Sequence, residues 1–199
     1  MTISQEGSHA KALRFEFSEE WTVCKYDDHC GFYHKVQQCQ GMKAVDFLAT
    51  NNHEILWIEV KNFRGDSAEN SPRLSATEPS EVKACRNQCS SKVKVTRKKP
   101  FLVEEIVKKV CDTFVGLAGA FRHDEETLDS HIKVLAQKLP ITIILFLHQD
   151  EHMDAEARFK PLALRLKTRI KQQLRFLNVE VEIVNELTLP EGVGWKLLP

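Results

Sequence analysis

Apolar and polar positions follow three patterns along this chain, and each predicts a different element. Ile55–Phe63 reads ILWIEVKNF, a nearly continuous apolar run, which marks a strand covered on both faces. Ile141–His148 (ITIILFLH) is a second such run, apolar enough for the centre of a sheet. Lys43–Thr50 (KAVDFLAT) predicts a strand just before the first run, and the polar Asn51-Asn52-His53 between them marks a hairpin. Arg14–Phe17 and Phe32–Val36 predict shorter strands, Val179–Val184 a closing one, and Glu19–Asp28 fits either strand or helix. Helical spacing occurs twice. Val103, Val107, Val110, Phe114, Leu117 and Phe121 form one stripe, with Glu104 and Glu105 in the first turn, where the helix dipole favours acids. Gly116 and Gly119 thin this helix and predict a close approach to the sheet. Phe159, Leu162, Leu166, Ile170, Leu174 and Leu177 form the inward stripe of a second, basic helix. The order strands, helix, strand, helix, strand predicts an α/β layer fold with a mixed sheet.

The segment from Asn62 to Pro100 is polar and longer than an ordinary connection, as lids, binding elements and insertions are. The expectation is a single domain over residues 1–199, carrying a polar and basic loop or insertion at about 64–100. No apolar run approaches the ~18 residues of a membrane span. The N-terminal MTISQEGSHAKALRFEF lacks the apolar centre of a secretory signal, so a cytoplasmic protein is expected. In that compartment the six cysteines are reduced thiols. Cys24, Cys30, His34 and Cys39 form a C-x5-C-x3-H-x4-C series, a weak zinc signal because the tight C-x2-C pair of structural zinc sites is missing.

Acids and bases balance at 28 each, so net charge points to no particular partner. Their distribution is uneven. Lys83, Arg86, Lys92, Lys94, Arg97, Lys98 and Lys99 fall in one stretch without an acid, and Arg158, Lys160, Arg165, Lys167, Arg169, Lys171 and Arg175 run along the second helix. Either series suits a phosphate backbone, and either is also an ordinary solvated surface.

The hairpin poses a sharper question, because Glu59 and Lys61 interrupt its apolar strand. Burying an unpaired charge costs several kcal/mol. A two-residue turn at Asn52-His53 pairs positions whose numbers sum to 105, which sets Asp46 directly across from Glu59 with Cβ atoms roughly 5 Å apart. Lys61 shares that face, two positions on. Facing carboxylates repel. A divalent cation between them would remove the conflict, and carboxylate oxygens are the ligands Mg²⁺ prefers. The plainer alternative is a structural ion pair of Lys61 with Glu59 or Asp46.

An Asp, twelve residues, then Glu59-Val60-Lys61 at the end of an apolar strand resembles the D…(D/E)-x-K signature of the restriction-endonuclease-like, or PD-(D/E)xK, nuclease superfamily. Val45 stands where that signature often has Pro. The segments KYDD…FYHK, KAVDFLA, IEVKNFRG and KKVCDTFVGLAGA resemble a bacterial branch of it. The resemblance covers about Phe15 to His148. It implies a restriction-endonuclease-like three-layer α/β/α fold with a central mixed β-sheet, in the order helix, three antiparallel strands, helix, strand. It further implies Mg²⁺- (or Mn²⁺-) dependent phosphodiester hydrolysis in nucleic acid, DNA foremost, by Asp46, Glu59 and Lys61. The metal ligands would be Asp46, Glu59 and the Val60 carbonyl, with Lys61 by the attacking water. A further acid is implied near the N-terminus, with Glu16, Glu19, Glu20, Asp27 and Asp28 available. Lys92, Lys94, Arg97, Lys98 and Lys99 would track the nucleic-acid backbone. Lys109 and Asp112 would lie on the helix behind the site, with Lys109 among the residues that meet nucleic acid; the plainer alternative for Lys109 is an exposed helix lysine. A homodimer is a common assembly in the superfamily. The competing expectations are a nucleic-acid-binding or assembly module that keeps the fold without the chemistry, and a zinc-stabilised interaction domain.

Overall fold

A computed structural model describes residues 1–7, 12–29, 31–75, 84, 100–190 and 193–198. Five strands form the main sheet: β3 (Thr22–Lys25), β4 (Phe47–Thr50), β5 (Ile55–Asn62), β6 (Ile141–His148) and β7 (Glu180–Val184), adjacent in that order. β3, β4 and β5 run antiparallel, and β6 and β7 continue parallel to β5, so the sheet is mixed. A smaller antiparallel sheet joins β1 (Thr2–Glu6), β2 (Leu13–Phe17) and β8 (Trp195–Leu198) in the order β1-β2-β8. Three longer helices are α1 (Leu102–Arg122), α2 (Asp129–Ala136) and α3 (Glu156–Gln173).

The continuous apolar run of β5 follows from cover on both faces. Ile55 and Trp57 join the core built with Ile106, Val110 and Leu117 of α1, Ile132 of α2 and Leu166 and Ile170 of α3. Leu56, Ile58 and Val60 point the other way, onto Phe15 and Phe17 of β2 and Trp195 of β8. There the ring of Phe15 meets Phe146 edge-on at 5.2 Å, and Phe17 stacks on Trp195 at 6.1 Å. Helices on the first face fit the expected layering. On the second face the described residues supply a small sheet, because β2 turns Phe15 and Phe17 inward and β8 turns Trp195 and Leu197.

The hairpin holds the expected register. Phe47 pairs with Ile58 and Thr50 with Ile55, and Asn51 and Glu54 continue the pairing through an N–H···O bond of 3.2 Å. The turn is fixed by Asn51 Oδ1, which accepts from the N–H groups of His53 (2.8 Å) and Glu54 (2.9 Å).

Several expectations need correcting. Phe32–Val36 is helical, with a π-turn over Tyr33–Gln37, because Tyr33 and Gln37 are buried at a helical spacing of four. Glu19–Asp28 resolves into β3 and a helical turn from Tyr26 to His29. Strands, not a helix, precede β3 among the described residues. The buried face of α1 runs through Ile106, Val110, Thr113, Leu117 and Ala120, whereas Phe121 is 64% exposed. Gly116 and Gly119 face the Phe32–Gln37 segment and not the sheet: a Cβ on Gly116 would lie 2.1 Å from Gln37 Oε1. No helix among the described residues is long and apolar enough to cross a membrane.

Candidate active site

Asp46 lies at the mouth of β4, and three bonds to the backbone around it fix its place. Lys43 N–H donates to Asp112 Oδ2 (2.8 Å), Val45 N–H to Thr113 Oγ1 (3.0 Å), and Tyr26 N–H to the Asp46 carbonyl (2.9 Å). The first two tie the segment before β4 to α1. Gln37 reinforces them, donating to the carbonyls of Lys43 (3.0 Å) and Asp112 (2.8 Å) while accepting from Tyr26 Oη (2.8 Å).

With Asp46 so placed, its carboxylate reaches across to β5. Oδ2 accepts from the Val60 N–H at 2.6 Å, and Oδ1 accepts from Lys109 Nζ at 3.0 Å. Val60 therefore meets Asp46 through its amide hydrogen. The Lys109 ammonium also donates to Glu59 Oε2 at 2.8 Å. Glu59 Oε1 lies 2.6 Å from the nitrogens of both Lys109 and Lys61, an ion pair with each. Lys61 is shared onward with Glu105 Oε1 of α1 at 2.8 Å, and Glu105 Oε2 accepts from Arg73. Asp46, Lys109, Glu59, Lys61, Glu105 and Arg73 thus alternate in sign along one chain of contacts.

This arrangement answers why a core strand carries charge. Glu59 is fully buried, and its carboxylate is bracketed by two ammonium groups. Lys109 corrects the reading of an exposed helix lysine, since its side chain is 13% exposed and its nitrogen sits between the two facing carboxylates. The Glu59–Lys61 ion pair foreseen as the plainer alternative is present, within a larger network.

The electrostatics follow from burial and crowding. Burial, and then the facing Asp46, push the Glu59 carboxyl up to about 7 against the pull of Lys61 and Lys109. Burial opposes the charge on Lys109, but Glu59 and Asp46 outweigh it and hold its ammonium above the usual range. Lys61 is also raised: burial acts against it and Glu59 prevails. For Glu105 burial is overcome by Lys61 and Arg73, which hold its carboxyl low.

On the other side of Asp46 stands a second group of acids. Asp27, in the helical turn after β3, and Glu6, at the end of β1, bring carboxylate oxygens within 4.8 Å of one another and of an Asp46 oxygen. Lys25 Nζ lies 2.7 Å from Glu6 Oε2 and 3.2 Å from Asp27 Oδ1. Burial and Asp46 raise the Asp27 carboxyl to about 6. A polar cleft of about 750 Å³ opens beside these groups, lined by Glu6, Lys25, Asp27 and Asp28 among others. Three carboxylates at this separation are hard oxygen donors that can hold a metal ion. Of the expected ligands Asp46 belongs to this group, while Glu59 is engaged by the two lysines.

Asp27 thereby stands out among the N-terminal acids, whereas Glu6 was not foreseen. The pairing Gln5↔Arg14 and Glu6↔Leu13 puts Glu6 at the end of a hairpin in the smaller sheet, and no local pattern links that end to β4. Glu105 and Arg73 were also missed, the first because its place in the first turn of a helix already accounted for its charge. Asp112 has a backbone-anchoring role through Lys43. Lys92, Lys94, Arg97, Lys98 and Lys99 lie outside the described residues, as does Cys30 of the zinc series. Both ring nitrogens of His34 are engaged, with Gln38 Oε1 at 2.9 Å and the Asp28 carbonyl at 2.5 Å. On α3, Lys167 and Lys171 pair with Glu182 (2.7 Å) and Glu180 (2.6 Å) of β7, which reduces the basic character of that face. No protein-family model, curated protein or solved structure matches the chain.

Proposed function

We propose that the chain is a metal-dependent nuclease with a restriction-endonuclease-like core, hydrolysing phosphodiester bonds in nucleic acid, DNA foremost. The observation that carries this reading is the convergence of Asp46, just before β4, with Glu59 and Lys61 from β5, beside carboxylates able to take a metal ion. The antiparallel β3-β4-β5 meander followed by α1 and parallel β6 supports it, being the strand order that the E-x-K resemblance implies.

Asp46, Asp27 and Glu6 are the residues that would hold Mg²⁺ or Mn²⁺. Such an ion supplies a water acidic enough to attack phosphorus and neutralises charge on the phosphoryl oxygens. The chain's own residues do the rest. Lys61 would hold a phosphoryl oxygen or the attacking water. Lys109 keeps Asp46 and Glu59 together despite their like charge. Lys92, Lys94, Arg97, Lys98 and Lys99 form the acid-free stretch suited to a nucleic-acid backbone.

Cleavage of supercoiled plasmid, single- and double-stranded DNA oligonucleotides and RNA in Mg²⁺ or Mn²⁺ tests the reading. Activity should appear with one of these and vanish in Asp46→Ala, Glu59→Ala and Lys61→Ala. Cleavage surviving in all three variants would end the catalytic assignment.

A second reading has an observation in its favour. The Lys109 ammonium stands between Asp46 and Glu59, as a cation that satisfies both without a metal. A nucleic-acid-binding module that keeps the fold but not the chemistry fits that arrangement. It predicts that calorimetry with Mn²⁺ finds no site dependent on Asp46.

A further inference from the structure

Lys61 and Lys109 compete for the same atom. Both ammonium nitrogens lie 2.6 Å from Glu59 Oε1, and like charges so close repel. What separates them is Glu105, on the first turn of α1, whose Oε1 draws Lys61 at 2.8 Å. Glu105 is oriented in turn, because its other oxygen is taken by Arg73. Arg73 is itself fixed from several sides: it donates to Asn70 Oδ1 (2.9 Å) and the Pro100 carbonyl (3.4 Å), and its guanidinium lies over the Phe63 ring at 5.1 Å. Phe63 follows β5 directly, two residues beyond Lys61. Arg73 and Glu105 therefore fasten the end of β5 to the start of α1 at the point where Lys61 emerges.

Resting on the nuclease reading above, we propose that Glu105 is a positioning residue for Lys61 and that Arg73 positions Glu105. With Glu105 neutralised, the ion-pair partner left to Lys61 among the described residues is a carboxylate already shared with Lys109, and its ammonium leaves the place it needs beside the phosphoryl group. Partners of this kind, one contact removed from the reacting atoms, commonly change activity by 10- to 100-fold when lost. Both side chains are 11% exposed and are engaged with each other and, through Glu105, with Lys61, so substrate binding should change little. The effect falls on turnover.

Steady-state cleavage of single-stranded and duplex DNA oligonucleotides and an RNA oligonucleotide in Mn²⁺ tests this with Glu105→Gln, Glu105→Asp, Arg73→Ala and Arg73→Lys. The exposed neighbour Glu104→Gln serves as control. Glu105→Gln should lower kcat by roughly 10- to 100-fold with KM little changed. Glu105→Asp and Arg73→Lys should recover part of the loss, and Glu104→Gln should match the wild type. Wild-type kcat in Glu105→Gln, or a loss matched by an equal loss of folded protein in circular dichroism, would overturn the assignment. A readout independent of cleavage is the ¹⁵Nζ ammonium resonance of Lys61, identified by its disappearance in Lys61→Arg. It should broaden or vanish in Glu105→Gln and persist in Glu104→Gln; persistence in both overturns the positioning role. If wild type cleaves none of the probes, the nuclease reading fails, and this resonance alone decides whether Glu105 holds Lys61.

Discussion

Replacing Lys109 by Met removes the cation that joins Asp46 to Glu59 while keeping the length of the side chain. The two carboxylates have side chains 4% and 0% exposed, so neither gains water in exchange. Breaking a buried ion pair by deleting one partner costs about 3–5 kcal/mol. Glu59 has a partial escape, since its carboxyl already lies at about 7 and rises further once Lys109 is gone. An acid whose folded-state pKa is raised contributes stability below its ordinary value of 4.5 and loses it as pH climbs through the folded-state value. In wild type that loss levels off just above 7. In Lys109→Met it continues upward at about 1.4 kcal/mol per pH unit. The destabilisation should therefore be about 3–5 kcal/mol at pH 8 and shrink toward pH 6, where Glu59 is protonated in both proteins. Urea unfolding at pH 6, 7 and 8 measures it as a fall in the midpoint at constant m-value. Equal midpoints at pH 8, or a gap that widens as pH falls, would refute the placement of Lys109 between the carboxylates.

Three other outcomes follow from the same structure. Gly116→Ala should destabilise by about 2–4 kcal/mol in urea, because the added methyl meets Gln37 Oε1 at 2.1 Å and Cδ at 2.5 Å and disrupts its bonds to Tyr26, Lys43 and Asp112. Gly119→Ala, whose nearest contact is Phe32 at 3.6 Å, should instead stabilise by about 0.5–1 kcal/mol, as alanine does within a helix; the opposite signs are the check. Burial lowers His131 to about 4, so its contribution is intact above its ordinary value of 6.5 and is lost as pH falls toward 4. His131→Leu should then flatten the acid limb of thermal stability, by about 3 kcal/mol at pH 4, and an unchanged limb would show that His131 is not buried neutral. Because Asp27 must lose a proton to bind a cation, Mn²⁺ affinity should fall about tenfold per pH unit below 6, and a flat profile in titration calorimetry would exclude Asp27 as a ligand.

The facing of Asp46 and Glu59 was legible because strand geometry is arithmetic. Side chains alternate with period 2, and Asn51 announces a turn whose even length preserves parity. Lys61 came with it for the same reason. The helix was harder. Its large residues suggested a face through Phe114 and Phe121, but the buried side runs through Thr113, Gly116 and Ala120, small residues that carry little weight in a hydrophobic count. Phe32–Val36 was misread because a short aromatic segment suits a strand as well as a helix, and only the burial of Gln37 among backbone carbonyls decides it. Glu6 and Arg73 were out of reach for another reason. Each arrives at the site through tertiary packing, and nothing adjacent in sequence signals where the end of β1 or the Ser71–Leu74 turn comes to rest.

Titrating the protein with Mn²⁺ and following the free ion by electron paramagnetic resonance bears most directly on the proposed chemistry, because the hydrolysis proposed at Asp46 needs a cation held there. One ion should bind per chain in wild type, and Asp46→Ala should abolish that binding while circular dichroism shows the fold retained. Failure of wild type to bind Mn²⁺, or equal binding by Asp46→Ala, would contradict the account.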